Sequence, residues 1–116
     1  MTSHALIFDL DGVIADTVHA HDAGWKIVAE QLGVTLTPEM LNSFRGKRRG
    51  DILHTITGRV LSESEIAAIM PAKIAHYDRF LETLDDSHIL PGVEHLIEVG
   101  RRRGLGLAVA SSSYNA

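Results

Sequence analysis

Apolar residues along the chain follow two patterns. Two short runs are continuous, "ALIF" (Ala5 to Phe8) and "LGLAVA" (Leu105 to Ala110). Continuous rather than alternating apolar residues predict strands buried on both faces, as in a parallel sheet. Between them the apolar positions recur in steps of three and four. Val18, His21, Trp25, Val28 and Leu32 form one helical stripe, closed by Gly33. Thr37-Pro38 has the form of an N-cap followed by proline at the first helical position, opening a short helix with Leu41 and Phe44. Ile52, Leu53 and Ile56 predict another short helix that stops at Gly58. Ser62 and Glu65 then have the spacing of a capping box. The stripe after it runs Ile66, Ile69/Met70, Lys73, Tyr77, Phe80/Leu81 and Leu84, and Pro71 is expected to kink or divide that helix. A last helix follows "LPG" (Leu90 to Gly92) with Val93, Leu96 and Ile97. Arg101 to Arg103 close it before Gly104, where cations suit the helix dipole.

The order is therefore strand, helical block, helix, strand. The block is too long for a simple crossover helix and reads as a helical domain inserted after the first strand. Residues 18–89 are assigned to the insert, and 1–17 with 90–116 to an α/β part. The 116 residues are 45% hydrophobic and 22% charged, the composition of a globular chain. No apolar run approaches the ~20 residues of a membrane span. The N-terminus has no basic region leading into a long apolar core, and there is no cysteine. The reading is cytoplasmic, without a disulfide framework or thiolate metal site. A net charge of -4 gives no global reason to bind nucleic acid. The basic cluster "RGKRRG" (Arg45 to Gly50) also fits a solvated loop or helix start.

Candidate chemistry sits where the two strands end. Ligands of open parallel sheets bind beyond the carboxyl ends of the strands. "FDLDGVIADT" puts Asp9 and Asp11 after the first strand, and "AVASSSYNA" puts Ser111, Ser112 and Ser113 after the second. On a continuing strand Asp9 and Asp11 share a face. Carboxylates that close resist joint ionisation unless a cation lies between them. Mg²⁺ suits such oxygen ligands and often bridges to phosphate. One carboxylate could serve as nucleophile and the other as general acid and base, with serine hydroxyls and backbone N–H groups holding a phosphate. The plainer alternative is an Asx turn with Gly12 that caps the next helix. A calcium loop also opens D-x-D-G, but no further ligands follow at its spacing. In the helical block, His21 and Lys73 interrupt apolar stripes, and Arg49 belongs to the basic cluster. Each has a structural alternative: a hydrogen-bonded core histidine, a snorkelling lysine, a solvated arginine.

These segments carry a resemblance. "FDLDGVIADT" resembles the first motif of the haloacid dehalogenase superfamily of phosphotransferases, and "LAVASSSYN" its second. The segment between them resembles the superfamily's helical cap, and the closest likeness is to the sugar-phosphate mutases and phosphatases of the group. The resemblance implies a Rossmann-like parallel-sheet core, here with about two strands, and an inserted α-helical cap. It also implies Mg²⁺-dependent transfer of a phosphoryl group from a sugar phosphate through an aspartyl-phosphate. In that scheme Asp9 is the nucleophile and Asp11 the acid–base group, both at the metal, with the Asp11 backbone carbonyl as a ligand. Ser111 binds the transferring phosphoryl group, with Ser112, Ser113 and Asn115 nearby. Arg49 grips the substrate's distal phosphate, Lys73 and His21 lie near the sugar, and Thr17 and His21 mark the hinge. The alternative is a non-catalytic phosphate-binding or regulatory module that keeps the fold. The superfamily also uses a later lysine and a second acidic motif. Lys26, Lys47 and Lys73 all precede the second strand. The chain is thus expected to be the N-terminal part of a longer protein, inactive without a C-terminal core segment.

Overall fold

The computed structural model describes residues 3–112. They form two compact units. One combines the chain up to Val18 with the chain from Leu84 onward, and the other is His19–Thr83.

In the first unit, β1 (Ala5–Phe8) pairs in parallel with β2 (Gly106–Val109), from Ala5 opposite Gly106 to Phe8 opposite Val109. The two apolar runs thus meet as neighbours although almost the whole chain separates them. Helix α5 (Val93–Arg102) packs on the face that carries Leu6 and Leu107. Gly100 makes the approach possible: a Cβ there would lie 3.0 Å from Leu107 Cδ2 and 3.2 Å from Leu6 Cδ1. Burial on both faces is not what this sheet shows. Side chains alternate across a strand, and Ile7, on the face away from α5, is 71% exposed. Two strands and one helix provide a single covering layer.

The second unit is built of α1 (Val18–Gln31, whose first residue belongs to the first unit), α2 (Pro38–Ser43), α3 (Arg49–Thr57) and α4 (Glu63–Leu81). Their apolar stripes bury Trp25, Val28, Ala29, Leu41, Phe44, Ile52, Leu53, Ile56, Leu61 and Met70 in one core. Trp25 meets Phe44 edge-on, with ring centroids 6.1 Å apart. The local signals act as the sequence implies. Thr37 Oγ1 accepts the Met40 N–H with Pro38 next in line. Ser62 and Glu65 cap each other reciprocally, and Arg59 forks onto the Glu65 carboxylate at 3.0 and 3.1 Å. Gly58 ends α3 in the left-handed region, φ 75°, where its N–H reaches His54 O. One expectation of division fails: α4 runs unbroken through Pro71. Proline deletes one N–H donor there, while Met70 and Lys73 on either side are buried and hold the helix in place.

Candidate active site

The chain leaves the ladder after Phe8, whose carbonyl accepts the Ala110 N–H at 2.8 Å. It does not continue as a strand, so Asp9 and Asp11 are not the same-face strand pair the spacing suggests. The Leu10 carbonyl instead accepts the N–H groups of Val13, Ile14 and Ala15 and winds the chain into a tight loop. Gly12 takes φ 74° in that loop, and a Cβ there would lie 2.7 Å from Val18 Cγ2. The loop is fastened to the returning chain. Asp16 N–H bonds His88 O at 2.8 Å, Leu90 N–H bonds Ile14 O at 2.9 Å, and Ala15 bridges Ile89.

This backbone gives the two carboxylates different surroundings. Asp9 is exposed at the strand end, where one oxygen accepts the Leu10 N–H at 2.8 Å. Asp11 is half-buried, and its Oδ1 accepts the hydroxyl of Thr17 at 2.5 Å. Thr17 itself is only 2% exposed, so the donor is fixed by its burial. Ser111 and Ser112 follow β2 after Ala110 and are exposed. The register that sets Phe8 beside Val109 therefore brings Asp9 and Ser111 to the same end of the sheet. Ser113 and Asn115 lie outside the described residues. The two carboxylates are hard oxygen donors, the donor type that Mg²⁺ takes. Among the described residues no cluster of three acidic, histidine or cysteine side chains forms around a common point.

In the helical unit, two of the anomalous stripe residues come together. Lys73 is 9% exposed, and its Nζ lies 3.4 Å from His21 Nδ1. The ammonium also stands 5.0 Å from the Trp25 ring centroid and 5.9 Å from that of Tyr77. His21 stacks on Tyr77 at 4.4 Å. An ammonium only donates hydrogen bonds. His21 Nδ1 is therefore the acceptor in this contact, and a neutral imidazole carries its proton on Nε2. Arg49 is half-buried at the first turn of α3. Its cluster is not uniform: Arg45 forks onto Asp22 at 2.6 and 2.8 Å. That bond holds the Asp22 carboxyl below its ordinary range against the opposing effect of burial, and it raises Arg45. Sequence reasoning singled out His21 and Lys73 but missed their contact and the Asp22–Arg45 fork. Both join positions distant in the chain, for which no local signal exists. The glycine at position 24, inside a helical stripe, was a legible signal that went unused.

The family model of haloacid dehalogenase-like hydrolases matches residues 6–116. The chain belongs to that family. Beta-phosphoglucomutase of Bacillus subtilis (strain 168) is 32% identical over 97% of this chain and 52% of its own length. Protein CbbY of Rhodobacter capsulatus is 30% identical over the whole of this chain and 53% of its own. Among solved structures, beta-phosphoglucomutase of Clostridium difficile superposes with a TM-score of 0.86 at 30% identity, covering 99% of this chain and 54% of that one. The chain thus spans about half the length of the relatives it matches. Its parallel strand pair with an inserted helical unit is the haloacid dehalogenase-like α/β fold with its helical cap.

Proposed function

We propose that this chain carries the nucleophile and the acid–base group of a Mg²⁺-dependent phosphotransferase acting on a sugar phosphate. The observation that carries the reading is the unequal pair at the end of β1. Asp9 is exposed and accessible to a phosphorus atom, and Asp11 is oriented by a buried hydroxyl. Asp9 attacks phosphorus, and the bond from phosphorus to the ester oxygen breaks. Asp11, protonated at that moment, gives its proton to the departing oxygen, leaving an aspartyl-phosphate and the alcohol. An acceptor hydroxyl or water then attacks phosphorus, Asp11 takes its proton, and the Asp9 carboxylate is restored. Ser111 and Ser112, with Ser113 and Asn115, hold the phosphoryl oxygens. Asp9 and Asp11 would hold Mg²⁺, which when bound offsets the negative charge gathered at the reacting phosphate. In the helical cap, Arg49 grips a distal phosphate, and Lys73 and His21 contact the sugar. The 32% identity to a beta-phosphoglucomutase supports a sugar phosphate as substrate.

The test uses the full-length protein, beta-glucose 1-phosphate and Mg²⁺. An isomeric sugar phosphate as product establishes a mutase; free phosphate without isomer establishes a phosphatase on the same scaffold. Asp9→Asn is expected to abolish either activity, and retained turnover would refute the aspartyl-phosphate route. Asp11→Asn is expected to lower kcat by about 10²–10⁴-fold, the range of a lost general acid–base group.

A further inference from the structure

Gly24 is buried in the middle of α1, on the same helix face as His21 and Trp25. Glycine is a poor choice for a helix interior, and alanine would be favoured there on helix propensity. The packing around residue 24 supplies a reason for glycine, and the reason is Lys73. A Cβ on residue 24 would lie 2.8 Å from Lys73 Cγ, 3.6 Å from Cε and 3.7 Å from Cδ. The Lys73 stem therefore lies along the bare backbone of α1. That course carries its ammonium to His21 Nδ1 and to the Trp25 and Tyr77 rings.

We propose that Gly24 is a positioning residue: by lacking a side chain, it fixes where the Lys73 ammonium meets His21 and hence the sugar-contacting end of the cap. The clash falls on Cγ, near the root of the side chain, so the whole stem has to swing. Lys73 is 9% exposed, and the swing has little free room. The consequence for catalysis rests on the reading that Lys73 and His21 contact the sugar; the consequence for Lys73 itself does not.

The test is Gly24→Ala in the full-length protein, with three readouts. First, the imidazole ¹⁵N resonances of His21 should move, and so should the emission of Trp25, the one tryptophan of the sequence. If both match the wild type, the proposal is overturned. Second, Tm should fall in the wild-type background but rise in a Lys73→Ala background, where alanine's helix preference acts unopposed. A rise in both backgrounds overturns the proposal. If Gly24→Ala alone does not fold, folding of the double variant supports it, and failure of both overturns it. Third, KM for the sugar phosphate should rise about tenfold in Gly24→Ala, a weakening of binding of about 1.4 kcal/mol, with kcat within twofold of wild type. If Lys73→Ala leaves KM unchanged, the sugar-contact reading fails, while the first two readouts still decide the role of Gly24.

Discussion

Thr17 spends its only side-chain donor on Asp11, and it is buried, with 2% exposure. Thr17→Val keeps the shape and removes the donor. It is expected to cost about 1–3 kcal/mol in denaturant unfolding, the cost of removing a hydrogen-bond donor from a partly buried carboxylate. Under the proposed mechanism it should also lower kcat more than it raises KM, because it loosens the proposed acid–base group rather than the substrate. At the surface, Glu65 is lowered to about 2, first by the hydrogen bond from Arg59 and then by the Ser62 N–H. The folded carboxyl stays ionised to lower pH than the unfolded one. Its contribution to stability is therefore present above the ordinary glutamate value of 4.5 and lost as pH falls toward 2. A carboxyl-carbon NMR titration should show Glu65 ionising near pH 2, and Arg59→Ala should raise that midpoint. The capping box was legible in the sequence because its partners are three residues apart. The fork from Arg45 to Asp22 spans 23 residues and left no trace in the local pattern.

The elements themselves follow closely from apolar spacing. β1 and α1 begin and end within a residue or two of the signals, and α3 ends at Gly58 as expected but begins at Arg49, ahead of the first apolar position that marked it. Two element-scale expectations were not met: division of α4, where buried neighbours flank Pro71, and extension of β1, where backbone bonds to Leu10 close a loop. Pro71 does not divide α4, and Asp9–Asp11 do not prolong β1. A proline in a helix interior costs up to about 3 kcal/mol relative to alanine, and Pro71 is exposed, so no core contact opposes its removal. Pro71→Ala is therefore expected to stabilise the helical unit by about 1–3 kcal/mol, read as a rise in Tm. A fall in Tm would mean that the ring makes a contact worth more than the missing hydrogen bond. Leu53 sets the opposite case. It is 0% exposed, and Leu53→Ala should cost about 2–5 kcal/mol in chemical denaturation.

Across the whole molecule, burial is uneven. The helical unit encloses a packed core around Val28 and Leu53, while the sheet of the other unit leaves Ile7 and Val109 open to solvent. Amide hydrogen exchange in this 116-residue chain is expected to be slower in α1 and α3 than in β1 and β2, because protection follows buried apolar contacts. Equal protection would show that the strands draw stability from a source other than the α5 layer. The fold class was legible because continuous and helical apolar patterns alternate in only one order. Of the candidate site, the strand ends that bring Asp9 and Ser111 together were legible. Its geometry was not, since the loop that separates Asp9 from Asp11 is fixed by backbone bonds to Leu10 and to residues 88–90. Those bonds hold the outgoing chain near Ala15 beside the returning chain near Ile89. A segment whose entry and exit are clasped in this way can be exchanged, lengthened or shortened without changing the span its ends must bridge. The helical insert can thus be rebuilt while the residues at the strand ends stay where they are.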